Sequence, residues 1–141
     1  MKILIKRLNK AFDLTLDLVR SINDDDLKLK LMGIPSNTIG EQLWCIIGAR
    51  ESYLKAIING GWIGFSSSLD DTTSKDKVIS CLKKSAEDSL KYLNNVELNE
   101  VQMELLLILL EHEILHHGQL IRYIYGNKLT FPKSWNERYT V

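Results

Sequence analysis

Two histidines one helical turn apart are the strongest chemical signal in the chain. His112 and His116 share a helical stripe with Leu105 and Leu109, so both imidazoles are expected to point into a core. Two imidazoles at positions i and i+4 can chelate one metal ion from a single helix. A pair of buried imidazoles without a partner would cost free energy, so the spacing predicts a metal site. His117, about 100° further round the helix, is expected to pack or to support a ligand rather than to bind the metal.

A complete site needs a third donor, and Cys45 is the best candidate on a neighbouring helix. It lies in the middle of the second predicted helix, beside small residues and at a depth comparable with that of His112. One thiolate, two imidazoles and a water would make a four-coordinate site with one open position, a set that suits zinc. The alternative is that Cys45 is an ordinary buried cysteine, and its spacing alone favours that alternative.

The segment from His112 to His116 also matches the H-E-x-x-H pattern of zinc proteases, in which the glutamate is the general base. A protease is disfavoured, because the pattern is short, no strands are evident, and no clear downstream ligand follows unless Glu137 is recruited. The pattern does draw attention to Glu113, which lies on the apolar side of its helix and should need a partner. Arg50, next to the inward stripe of the second helix, is the expected counter-ion.

The size and charge of the chain limit its class. With 141 residues and 45% hydrophobic content, residues 1–141 are expected to form a single globular domain. The 18 basic and 18 acidic residues cancel, which argues against a nucleic-acid partner. Cys45 and Cys81 form no CxxC or disulfide-rich pattern. Charges interrupt the start of the chain, where a signal peptide would lie. No apolar run reaches membrane-spanning length. These features predict a cytoplasmic protein with reduced thiols and no membrane partner.

Hydrophobic periodicity predicts four helices and no strands, at residues 2–22, 38–58, 74–94 and 99–126. Capping boxes mark two of the starts, one formed by Thr38 with Glu41 and the other by Asn99 with Gln102. The tail at residues 127–141 is too apolar to be free and is expected to fold back over the helices. The predicted fold is therefore an all-α four-helix bundle with its C-terminal tail packed over the bundle.

The fourth predicted helix is apolar over more than half of its circumference. Six consecutive aliphatic residues, 105–110, contribute to this wide apolar surface. The core of one bundle does not require so much apolar surface. The excess predicts a second buried surface, most simply a homodimer contact.

Three segments together resemble the DinB-like superfamily of metal-binding four-helix bundles. They are TIGEQLWCIIGARESYLKAI at 38–57, HEILHHGQLIRYIYG at 112–126 and FPKSWNERY at 131–139, and the resemblance covers nearly the whole chain. The superfamily usually holds a divalent metal with three histidines, one on the second helix and two on the last long helix. The resemblance assigns His112 and His116 to the last two positions and Cys45 to the first, where the family pattern has histidine. It therefore implies either an unusual Cys/His/His site for zinc, with nickel as the alternative ion, or a site whose metal is weakly bound or absent.

The resemblance also implies a reaction on a small molecule. Characterised members of the superfamily include transferases and isomerases that use low-molecular-weight thiols, and others are assigned only as metal-dependent hydrolases or stress-induced proteins. The first expectation is a metal-dependent enzyme of the S-transferase or hydrolase type, with a small-molecule substrate and a low-molecular-weight thiol as partners. The alternative is a non-catalytic dimeric bundle, a stress-related binding protein whose metal site is degraded at Cys45.

Overall fold

A computed structural model describes all 141 residues, Met1–Val141, and contains five α-helices and no strand. The helices are α1 (Lys2–Ser21), α2 (Ile39–Asn59), α3 (Lys75–Leu93), α4 (Glu100–Gly126) and α5 (Lys133–Tyr139), with a short 3-10 turn at Asp26–Lys28. The all-α prediction is confirmed, and the four long helices begin and end within one residue of their predicted bounds. The fifth helix is a correction to the predicted count, because its 7 residues are too few to show a helical period in the sequence.

Side-chain caps set the starts of the two helices that carry the candidate ligands. At α2 the Thr38 side chain accepts a hydrogen bond from the Glu41 amide, and the Glu41 carboxylate accepts one from the Thr38 amide. Asn99 and Gln102 make the same reciprocal pair at α4. Both predicted capping boxes are confirmed, and each satisfies backbone donors that the first turn would leave unpaired.

The core is divided into two apolar clusters with a buried polar layer between them. The larger cluster contains 16 buried residues and the smaller one contains 6. On α4, Leu106 belongs to the smaller cluster and Leu120 to the larger one. Glu113 and His117 lie between these two leucines and are also buried, as is Arg50 on the adjacent helix α2. The long helices therefore enclose charged groups in the middle of an apolar core.

The connection from α2 to α3 lies along the outer side of α2. The Ser66 amide donates a hydrogen bond to Ser52 Oγ at 2.9 Å. The Phe65 ring lies against Gly48, where an added Cβ would come within 2.3 Å of the ring, and the Trp44 ring is 5.1 Å from the same ring between centroids. Because a larger side chain at Gly48 would push the Phe65 ring away, this glycine allows the connection to approach the helix closely.

The C-terminal segment contacts the helices through Trp135. This side chain is fully buried, and its Nε1–H donates to the Leu14 carbonyl at 2.7 Å. The rings of Phe131 and Tyr139 lie 6.0 Å and 5.4 Å from the Trp135 ring between centroids. An aromatic group of three residues thus joins α5 and the segment before it to α1.

Several apolar side chains of α4 face solvent. Leu115 is 60% exposed and Leu107 is 45% exposed, and Val101 and Tyr125 are exposed as well. The Tyr125 ring lies 5.1 Å from the Phe131 ring of the C-terminal segment between centroids, whereas Leu107 and Leu115 stay largely open to solvent. Despite its apolar character, α4 does not meet the requirements for a membrane crossing, and neither does any other helix.

Candidate metal centre

The three predicted ligands meet where α2 packs against α4. One ligand atom from each of Cys45, His112 and His116 lies within 4.8 Å of the other two. The Cys45 sulfur is 3.9 Å from His112 Nε2, and the two imidazole centroids are 4.6 Å apart. Helical spacing alone produces the histidine pair, whereas tertiary packing brings Cys45 to it from 67 residues away in the chain. The structure therefore brings all three side chains together in a group that could hold a metal ion.

A chain of hydrogen bonds fixes the orientation of His116. Its Nδ1 is 2.5 Å from Gln42 Oε1, and Gln42 Nε2 donates to Asn37 Oδ1 at 2.8 Å. The Tyr123 hydroxyl donates to the same Asn37 oxygen at 2.5 Å. Because an amide oxygen can only accept, this pattern assigns the proton to His116 Nδ1 and leaves Nε2 with a free lone pair. A histidine needs this arrangement to bind a metal through Nε2.

Gln42 belongs to the candidate site through its contact with His116, although the sequence pattern does not single it out. It lies three positions before Cys45 on α2, so the two side chains project from neighbouring turns of one helix face. Gln42 is buried although it is polar, and a buried polar residue requires a partner. Its spacing from a candidate ligand is the only sequence signal that could have identified it.

His112 has no comparable outer partner. Its Nδ1 is buried without a hydrogen-bond partner, while its Nε2 faces Cys45. Packing holds the ring, against His116 on one side and against Tyr53, whose ring centroid is 6.4 Å away. Binding a metal through Nε2 would leave Nδ1 unsatisfied, so His112 is the less firmly oriented of the two histidines.

Burial sets the protonation states of the three side chains. Burial lowers the pKa of His112, and burial together with the charge of His112 lowers the pKa of His116 to about 4. Burial raises the pKa of the Cys45 thiol above its ordinary value. At neutral pH both imidazoles are therefore neutral and keep a lone pair, whereas the thiol is protonated. Cys45 can act as a ligand only by losing that proton.

The donor set indicates which ions fit the cluster. One sulfur and two imidazole nitrogens are ligands that zinc accepts readily, and imidazole also suits nickel. Three protein ligands leave one position of a tetrahedral ion open, which is typical of catalytic rather than structural zinc sites. Cys45 and His112 are only partly buried, so an ion held by these side chains would lie near solvent.

A buried ion pair lies next to the candidate ligands along α4. Arg50 Nε donates to Glu113 Oε2 at 3.0 Å, Arg50 Nη2 donates to Oε1 at 2.5 Å, and both side chains are almost fully buried. Burial alone would raise the pKa of Glu113, but the Arg50 charge and the hydrogen bonding around the carboxylate hold it below its ordinary range. The prediction that Arg50 is the counter-ion of Glu113 is confirmed.

Three further side chains extend this ion pair into a network. The Tyr139 hydroxyl is 2.6 Å from His117 Nδ1, and His117 Nε2 is 2.8 Å from Thr15 Oγ1. The Thr15 hydroxyl donates its single proton to Glu113 Oε1 at 2.5 Å, so His117 Nε2 donates to Thr15. In the tautomer with a proton on Nε2 alone, His117 Nδ1 accepts from the Tyr139 hydroxyl. Neither Thr15 nor Tyr139 is identifiable from its sequence spacing. We refer to Thr15, Arg50, Glu113, His117 and Tyr139 as the buried network.

The contacts of Glu113 argue against the protease alternative. In an H-E-x-x-H protease the glutamate acts as general base on a metal-bound water. Glu113 is instead only 1% exposed, and both of its carboxylate oxygens bind Arg50. It therefore has no free oxygen directed at the cluster of Cys45, His112 and His116.

Comparison of the chain with family models, with curated proteins and with solved structures found no match. The resemblance of three sequence segments to the DinB-like superfamily therefore stays a prediction. The convergence of Cys45, His112 and His116 is independent of that resemblance, because it is a property of the structure.

The metal-free protein should lose stability as the pH falls from 6.5 to about 4. His116 has a lower pKa in the folded chain than in the unfolded chain, so in this range the unfolded state binds a proton that the folded state does not. The contribution is fully present above the unfolded pKa and is lost as the pH falls. We expect denaturant unfolding with a chelator present to show this decline, and His116→Gln to reduce its slope. An identical slope in His116→Gln would mean that other groups cause the decline.

Proposed function

We propose that this protein is a metal-dependent enzyme of the DinB-like superfamily that binds a divalent ion through Cys45, His112 and His116. Zinc is the expected ion and nickel is the alternative. The observation that carries the proposal is the approach of one sulfur and two nitrogens, from two helices, to within 4.8 Å of one another. The histidine pair alone would be weak support for the proposal, because any two residues four positions apart on a helix lie close together. The third donor, Cys45, is brought to the pair only by the packing of α2 against α4.

The proposed reaction is transfer of a low-molecular-weight thiol to a small-molecule substrate, or hydrolysis of such a substrate. When bound, zinc supplies a positive charge that lowers the pKa of a thiol or of a water, to about 7 for water. The chain orients one ligand through the Gln42 hydrogen bond to His116. It also offers an aromatic surface, since Tyr53 lies beside His112 and Trp62 packs on Tyr53 at 5.0 Å while remaining half exposed. An apolar part of a substrate could contact these rings next to the open position.

Metal binding by Cys45 requires a reducing compartment, because an oxidised thiol cannot act as a thiolate ligand. Both cysteines of the chain, Cys45 and Cys81, are free. We therefore propose a cytoplasmic location, in which thiols are kept reduced. The formal net charge of zero supports a small-molecule substrate rather than a nucleic acid.

The alternative function is a non-catalytic, stress-related bundle that binds a small molecule or a partner without a metal. Two observations favour it: His112 Nδ1 has no hydrogen-bond partner, and burial keeps the Cys45 thiol protonated. Both raise the free energy of forming a metal site. They would fit a chain in which an ancestral histidine ligand was replaced by Cys45 and the metal was lost.

The metal proposal predicts that protein purified without an affinity tag contains about one divalent ion per chain, or takes one up when zinc is added. Cobalt in the same site should give a sulfur-to-metal charge-transfer band in the near ultraviolet, because Cys45 binds as a thiolate. Cys45→Ser should remove the band, and Cys45→His should remove it while keeping the metal. Cys81→Ser is the matched control, since Cys81 lies outside the cluster, and it should keep both the band and the affinity.

Metal affinity should also fall more steeply with decreasing pH in the wild type than in Cys45→His, because only the wild type has to lose a thiol proton. A Cys45→Ala protein that binds cobalt with unchanged affinity and spectrum would show that Cys45 only packs. A wild type that holds no ion, even after zinc is added, would favour the non-catalytic alternative.

The activity proposal predicts conjugation of an electrophile with a small thiol that is lost on chelation and restored when zinc is returned. The measurement is a panel of electrophiles tested with several low-molecular-weight thiols. His116→Gln should abolish the reaction, because it removes the nitrogen that the Gln42 hydrogen bond orients. If the whole panel stays at background while the metal is bound, hydrolysis becomes the better proposal, and ester and amide substrates are the next assay.

We also propose that the protein is a homodimer that uses the exposed face of α4. Leu107 and Leu115 lie on this face. Its acidic residues Glu104 and Glu111 lie nearer the start of the helix, whereas Arg122 lies near its end. Two antiparallel copies of α4 would therefore bring Glu104 of one copy near Arg122 of the other, on both sides of an apolar centre, as an isologous contact allows.

Light scattering at micromolar concentration should give a mass near twice 16.2 kDa. Leu107→Glu places a charge on the proposed contact and should shift the protein towards the monomer. Ile3→Glu is the control, because Ile3 is an exposed apolar residue on a different helix, α1. A monomeric wild type at every concentration would contradict the dimer.

A further inference from the structure

The Arg50–Glu113 ion pair is a point at which all four long helices meet. Arg50 comes from α2 and Glu113 from α4, and Thr15 of α1 donates to the carboxylate. Arg50 Nη1 donates to the Leu82 carbonyl of α3 at 3.2 Å, and its guanidinium lies 3.9 Å from the centroid of the Phe12 ring on α1. The rest of the buried network extends the contact to α5.

Members of the buried network and the candidate ligands alternate along α4. His112 is followed directly by Glu113, and His116 is followed directly by His117. Consecutive helical residues project about 100° apart, so the first member of each pair faces Cys45 while the second belongs to the buried network. A rotation of α4 about its axis would move both sets together. The contacts of Glu113 therefore bear on the direction in which the two imidazoles point.

The geometry of the ion pair resists such a rotation. Arg50 binds both carboxylate oxygens of Glu113 from α2, the helix that also carries Cys45. A bidentate arginine–carboxylate pair has a planar, fixed geometry that lysine cannot reproduce. Thr15 holds one of the same oxygens from α1, so the carboxylate is restrained from two directions. Polar side chains of α2 and α4 thus meet at two places, the ion pair and the cluster of candidate ligands.

Stability alone is a poor explanation for a buried ion pair of this kind. Removing two charges from water costs about as much free energy as their attraction returns, and well-packed apolar replacements are often equally stable. Apolar clusters lie on both sides of the pair, so hydrocarbon side chains could have closed the core here too. An apolar pair would not supply a directional contact that fixes the rotation of α4 against α2.

We infer that Arg50 and Glu113 are positioning residues for the metal site. Their ion pair holds α4 at the rotation at which His112 and His116 meet Cys45. This role rests on the proposed metal-binding function and adds to it two residues that do not touch the ion.

The decisive variant replaces both charges by apolar side chains, Arg50→Met together with Glu113→Leu. It removes the directional contact without leaving an unpaired buried charge, so the protein is expected to fold. Its cobalt affinity should be about ten to a hundred times lower than that of the wild type, with shifted visible absorption bands. Arg50→Lys, which keeps the charge but lacks the planar fork, should weaken cobalt binding in the same direction.

Leu106→Ala is the matched control. Leu106 is fully buried on the same helix, in the smaller apolar cluster, so its truncation destabilises the protein without removing a member of the buried network. This variant should bind cobalt with the affinity and spectrum of the wild type. If it weakens cobalt binding as much as the double variant does, general loss of stability explains the effect and the positioning role is overturned.

The results for the wild type and the double variant separate the positioning role from metal binding itself. Wild-type cobalt affinity and spectrum in the double variant would overturn the positioning role and leave the metal site intact. A wild type that binds no cobalt would overturn the proposed function and the positioning role together. A crystal structure of the double variant is the second measurement. The 3.9 Å separation of Cys45 Sγ and His112 Nε2 should widen by about 1 Å or more, and an unchanged separation would overturn the positioning role.

Discussion

The Glu113 carboxylate can lie in the core only because donors from neighbouring helices reach it, and the packing around it meets that requirement. Arg50 crosses from α2 with two N–H groups, Thr15 contributes a hydroxyl from α1, and His117 holds that hydroxyl in place. The apolar clusters on either side exclude water from the layer, which strengthens each of these hydrogen bonds. The directional hydrogen bonds of the polar layer also fix how the helices that carry the apolar clusters are oriented against one another. Polar and apolar packing therefore depend on each other in this fold.

The adjacent histidines His116 and His117 show how their surroundings divide their roles. Gln42 accepts from His116 Nδ1, which leaves one ring nitrogen of His116 free. His117 uses both ring nitrogens, one to donate to Thr15 and one to accept from Tyr139. The two rings therefore have opposite tautomers although they are neighbours in the sequence. This difference leaves His116, but not His117, with a ring nitrogen free to act as a candidate ligand. It arises from the partner side chains Gln42, Thr15 and Tyr139, none of which lies on α4.

Sequence patterns could predict the parts of the molecule that depend on near neighbours. Helix bounds and capping boxes involve residues a few positions apart, and a charge on an apolar stripe by itself calls for a counter-charge. The prediction that Cys45 is a ligand needed the family resemblance, because the spacing of this residue alone favoured an ordinary buried cysteine. Thr15, Gln42 and Tyr139 could not be predicted, since their histidine partners lie 22 to 102 residues away. A threonine or glutamine in a helix has the same local signature whether its side chain meets water or a buried partner.

The buried network also bears on how the helices assemble. Its members come from α1, α2, α4 and α5, so no two consecutive helices can complete it. An intermediate with α4 docked only on α2 would bury the Glu113 carboxylate without the Thr15 hydroxyl, and one with α4 docked only on α1 would bury it without Arg50. Each of these states carries an unmet hydrogen bond or an unmet charge that the complete bundle does not. Partly assembled forms should thereby be disfavoured, and we expect the chain to fold more cooperatively than a bundle whose core is wholly apolar.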